Sequence, residues 1–105
     1  MNSQAPKLVR MPTWFIPHGA GPCFFMDWHP ADTWDTMATF LRDLHKSLPQ
    51  KPKAIVMVSA HWLESIVRVT GAQYPELIYD YYGFPAHTYE LKYPAQGEPT
   101  LAKKF

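Results

Sequence analysis

The sequence predicts an α/β fold, the strand–helix–strand portion of a larger domain whose sheet is flanked by helices. Three observations predict it. Ala54-Ile55-Val56-Met57-Val58-Ser59-Ala60 is a continuous apolar run, the pattern of a strand covered on both faces. An earlier apolar run, Met11 to Ile16, is separated from it by one helical pattern, which gives strand–helix–strand order. One amphipathic helix and the start of a second cannot cover both faces of a sheet, so the 105 residues read as an incomplete set of layers.

Residues 1–10 are polar and read as a flexible leader; residues 11–105 read as the N-terminal part of a larger α/β domain. Met11-Pro12-Thr13-Trp14-Phe15-Ile16 is the first expected strand, closed by Pro17. His18-Gly19-Ala20-Gly21-Pro22 follows as a compact loop, because glycine permits close backbone approach and proline stops extension. Trp34, Met37, Ala38, Leu41, Leu44 and Leu48 then recur at spacings of three and four and draw one apolar helix face. Asp32 or Thr33 is the expected N-cap, and Pro49 ends the helix. The run 54–60 is the second strand. Ser65 to Thr70 alternates and reads as a third, half-exposed one. Residues 73–99, rich in Tyr and Pro, form an aromatic loop region with one helical turn expected near Ala86–Leu91. Glu98 to Phe105 reads as the first turns of a helix, with Pro99 at its favoured early position.

Composition removes several classes of function. Ten Lys plus Arg against nine Asp plus Glu give a net charge of +1, too balanced for a nucleic-acid-binding surface. A single Cys excludes an internal disulfide framework and a Cys-rich zinc ribbon. There is no run of about 18 apolar residues and no apolar signal core, so no membrane partner is expected and the expected setting is cytoplasmic. The P-loop, GxSxG, HExxH and CxxC patterns are absent.

What remains is histidine. If residues 11–16 and 54–60 are parallel neighbours, their axes lie about 4.8 Å apart. His18 and His61 then leave one sheet edge together, at the place where open α/β sheets bind ligands. Two imidazoles there can meet on one ion. The competing reading is that each is a hydrogen-bonded structural histidine. His45 reads as a helix-end residue, and His29 and His87 as structural. Cys23 reads as a small buried apolar group with no base beside it.

Four segments in order, Ile16-Pro17-His18-Gly19-Ala20-Gly21-Pro22, Val58-Ser59-Ala60-His61-Trp62, Ile78-Tyr79-Asp80-Tyr81-Tyr82-Gly83-Phe84-Pro85 and Tyr93-Pro94-Ala95, resemble the class III extradiol ring-cleavage dioxygenases. The subgroup that they resemble is the DOPA 4,5-dioxygenase-like one, and the likeness runs over nearly all of residues 11–105. It implies that His18 and His61 ligate one divalent ion, Fe(II) or Zn(II). It implies opening of a catechol-type aromatic substrate with O2, and it leaves room for a homo-oligomer. Ring opening calls for a redox-active ion, since zinc has no accessible redox chemistry. The family's other ligands and its catalytic histidine are implied to lie beyond Phe105. A non-catalytic interaction module on the same fold, or an inactive truncation, is the alternative.

Two further assignments stay open. Tyr81, Tyr82 and Phe84 either line the aromatic substrate pocket or pack their loop. Asp80 either completes a two-His-one-carboxylate set or pins its loop by accepting backbone N–H groups, and the second reading is preferred.

Overall fold

The computed structural model describes residues 8–105, so most of the expected leader lies outside the described residues. The chain divides into two compact units at Lys53/Ala54.

The first unit is organised around a small aromatic nucleus. Gly21 takes a positive φ of 47°, and a 3-10 turn, Cys23–Phe25, follows, with Phe25 N–H donating to the Pro22 carbonyl at 2.9 Å. Cys23 is 1% exposed. The Trp28 indole N–H donates to the Cys23 carbonyl at 2.8 Å, and the Trp28 and Trp34 rings meet edge to face with centroids 5.7 Å apart. Gly19 completes the nucleus by having no side chain. A Cβ there would stand 2.5 Å from Cys23 Sγ and 3.0 Å from the Trp34 ring.

Helix α1 spans Asp35–Asp43 and tightens into a 3-10 turn over Leu44–Ser47. Trp34, Met37, Ala38, Leu41, Leu44 and Leu48 are all partly buried, while Thr39, Arg42, Asp43 and Lys46 face solvent. The expected apolar face is therefore the observed one. The expected cap is not. Trp34 holds the N-cap position without a side-chain cap bond, while the Thr33 hydroxyl donates backward to the Pro30 carbonyl at 2.5 Å. Leu48 turns extended just before Pro49, as proline requires of its predecessor.

The second unit replaces an expectation. Among the described residues there is no β-strand, so the strand–helix–strand α/β arrangement is not formed. No backbone hydrogen bond joins 11–16, 54–60 or 65–70 to another segment among the described residues. The reason is physical. An apolar run states a demand for burial, but a strand exists only when a partner takes up its N–H and C=O groups. Here Ile55, Met57 and Val58 are 75%, 76% and 90% exposed, and the run has no ladder to join.

Order in this unit comes instead from tyrosine and turn chemistry. A 3-10 turn over Ala86–Tyr89 lies where a helical turn was expected, with Thr88 fully buried and its hydroxyl donating to the Pro85 carbonyl at 2.7 Å. Gly97 N–H donates to the Gln73 carbonyl at 2.8 Å, and a Cβ on Gly97 would overlap the Ala72 carbonyl oxygen. The short helix α2, Pro99–Ala102, starts as expected, with Pro99 in its first turn and the Glu98 carboxylate accepting from Thr100 N–H at 3.3 Å.

Candidate functional site

The segment 79–82 sets the geometry. Tyr79 and Tyr81 are half-buried, while Asp80 and Tyr82 are exposed, an alternation like that of extended backbone. Both inward tyrosines are anchored at their hydroxyls. Tyr79 donates to the Leu91 carbonyl, and Tyr81 donates to the Thr88 carbonyl at 2.5 Å. Tyr89 donates to the Tyr81 carbonyl at 3.3 Å, and its ring lies 5.1 Å from that of Tyr81. Phe84 meets Tyr81 edge to face at 5.3 Å. Of the three residues considered for substrate contact, the structure therefore brings Tyr81 and Phe84 together in one cluster. Tyr82 is 92% exposed and stands on the opposite side of its segment.

Asp80 is carried outward between the two anchored tyrosines. Its Oδ2 lies 3.3 Å from His61 Nδ1. The ring belongs to the segment Ser59-Ala60-His61-Trp62, which is itself pinned: His61 N–H donates to Ser59 Oγ at 3.1 Å. Beyond it, the Trp62 indole donates to Glu64 Oε1 at 3.0 Å, and Arg68 pairs with Glu64 Oε2 at 3.2 Å. By sequence Asp80 is either a metal ligand or a pin for backbone N–H groups. The structure gives it a histidine ring as partner.

His18 lies in the first unit, and its Nδ1 is 2.9 Å from the Gly19 carbonyl oxygen. A carbonyl oxygen only accepts, so the His18–Gly19 bond requires a proton on His18 Nδ1, while His61 Nδ1 stands at ion-pair distance from the Asp80 carboxylate. In the neutral His18 ring the donor lone pair is then on Nε2. This is the tautomer that metal-bound histidines usually show, with the far nitrogen held by a carboxylate or a backbone carbonyl. The donor chemistry therefore fits an ion of intermediate softness such as Zn(II) or Fe(II). Among the described residues no group of three or more His, Cys, Asp or Glu is gathered to hold a metal. The two histidines stand on irregular segments and not at strand ends.

Cys23 is inert by placement. Burial pushes its thiol above the ordinary value, which lowers the thiolate fraction that makes a cysteine a nucleophile. Among the described residues no helix is long and apolar enough to cross a membrane.

Comparison with known proteins gives the same direction. Over 97 residues, 92% of this chain, it is 38% identical to the 4,5-DOPA dioxygenase extradiol of Escherichia coli (strain K12), covering 33% of that protein. It is 50% identical over 56 residues to the 4,5-DOPA dioxygenase extradiol of Portulaca grandiflora, covering 53% of this chain and 21% of that one. It is 55% identical over 53 residues to the dioxygenase tasH of Hapsidospora irregularis, covering 50% of this chain and 16% of that one. The chain thus spans a third or less of the length of these curated relatives. No family model and no solved structure matches it. Over the residues matched, the chain belongs to the 4,5-DOPA dioxygenase-like family of extradiol dioxygenases.

Proposed function

We propose that the protein is an extradiol ring-opening dioxygenase that acts on a catechol-type substrate with O2, using one divalent ion to which His18 and His61 each give an imidazole nitrogen. The observation that carries this reading is the matched state of the two rings. Each has Nδ1 beside an oxygen, Gly19 O at 2.9 Å for His18 and Asp80 Oδ2 at 3.3 Å for His61, an arrangement that supports Nε2 as the metal-facing nitrogen in both. The names of the relatives, extradiol dioxygenases acting on 4,5-DOPA by name, support the reaction class.

Bound Fe(II) would supply a redox-active centre for catecholate and dioxygen, whereas bound Zn(II) would supply Lewis acidity alone. The chain's own residues do the rest. The imidazoles are neutral donors, so they leave the ion's positive charge available to favour ionised catechol oxygens. The Tyr79–Tyr81–Phe84–Tyr89 cluster gives a firm base to the segment that bears Asp80. The exposed Tyr82 offers an aromatic face of the right kind to a planar substrate.

The test is anaerobic loading with Fe(II), followed by O2 and a panel of catechols. A ring-opened, yellow-absorbing product from at least one catechol is expected, and its loss in His61→Ala. Absence of product across the panel from the iron-loaded protein contradicts the reading.

A further inference from the structure

We propose that Asp80 is a positioning residue for His61: its carboxylate holds the ring with the proton on Nδ1 and turns Nε2 toward the metal. The proposal rests on the reading of His61 as a ligand. Three observations on separate parts of the second unit support it. The carboxylate oxygen and the ring nitrogen are 3.3 Å apart. The carboxylate is placed by its neighbours, because Tyr79 and Tyr81 on either side are tied by their hydroxyls to the Leu91 and Thr88 carbonyls. The imidazole is placed by its own backbone, because His61 N–H is tied to Ser59 Oγ. A casual surface pair has two loose side chains, and its geometry is set by neither backbone. Here the pair is exposed, His61 61% and Asp80 46%, and the ordering comes from the two anchored tyrosines beside Asp80 and the local Ser59 bond at His61.

The chemistry follows from the pairing. A carboxylate at Nδ1 makes the opposite nitrogen a stronger donor and removes the rotational freedom that the ring would lose on binding. His18 is served by a neutral backbone carbonyl at the same ring position. The two imidazoles therefore differ in the oxygen that stands beside Nδ1, a carboxylate for His61 and a backbone carbonyl for His18.

The experiment measures two quantities on the wild-type chain and on Asp80→Asn, Asp80→Ala and His61→Ala. The first is the His61 tautomer in the metal-free protein, read from ring ¹⁵N shifts at a pH where the ring is neutral. The second is affinity for zinc alone. The wild-type ring is expected to carry its proton on Nδ1. Asp80→Ala is expected to shift the population toward the Nε2-protonated form and to weaken zinc binding by roughly 10–100-fold. Asp80→Asn keeps the shape and is expected to fall between the two. Wild-type His61 with its proton on Nε2 overturns the proposal whatever the variants do. So does unchanged tautomer and affinity in both Asp80 variants while His61→Ala loses zinc. If His61→Ala itself binds zinc as the wild type does, the ligand reading fails, and the positioning role fails with it.

Discussion

Single residues carry the most specific consequences of this structure. Cys23 is buried against Gly19 and the Trp28–Trp34 pair, and burial raises its thiol. Alkylation by iodoacetamide is expected to be slow in the native chain and to rise to the rate of a free thiol in denaturant; equal rates in the two conditions contradict the buried placement. Gly19→Ala sets a methyl group against Cys23 Sγ and the Trp34 ring, and such overpacking costs about 1–3 kcal/mol. A lowered urea midpoint is the expected readout. Tyr81→Phe removes the hydroxyl that ties residue 81 to the Thr88 carbonyl, at a cost of about 0.5–1.5 kcal/mol. The role of Asp80 shows where reading residues one at a time stops. Its type and its neighbours are visible in Tyr79-Asp80-Tyr81, but its partner His61 lies in another segment, and no local pattern announces a contact between segments. Burial of Cys23, by contrast, was legible, because a small apolar group between Gly-Pro and two Phe has few other uses.

At the scale of elements, what the chain makes locally was legible and what it makes by pairing was not. The face of α1 follows from spacings of three and four within one segment, and the partly buried positions are the ones that periodicity picks out. The 3-10 turn at Ala86–Tyr89 and the Pro99 start of α2 are likewise local. Thr33 does not cap α1, because its hydroxyl donates back to the Pro30 carbonyl, one turn earlier than a cap bond would need. The three expected strands failed for a different reason. Hydrophobicity in Ala54–Ala60 reports what the run would gain by burial, and a ladder depends on a second segment in register. Hydrogen exchange checks this directly. Amides of Ile55, Val56, Met57 and Val58 are expected to exchange at close to the unprotected rate, while Ala38, whose N–H donates to the Trp34 carbonyl at 2.9 Å, is slower. Protection of 55–58 at the level of α1 contradicts the observed backbone.

For the whole molecule, the apolar side chains of 55–58, Leu63 and Val67 are exposed on the second unit. Surfaces of this kind bind hydrophobic dyes. Bright anilinonaphthalene sulfonate fluorescence is expected from the chain, and Val56→Lys with Val58→Lys is expected to dim it; no change in the double variant contradicts the exposure of this run. The family assignment rests on identity over most of the chain and a third of its Escherichia coli relative, and the proposed chemistry rests on two imidazoles that each place Nδ1 beside an oxygen. X-ray absorption at the zinc edge of the zinc-loaded protein tests that claim most directly. Back-scattering from two imidazole rings, with Zn–N distances of about 2.0–2.1 Å, is expected, falling by one ring in His18→Ala and by one ring in His61→Ala. A spectrum that neither substitution alters would contradict it.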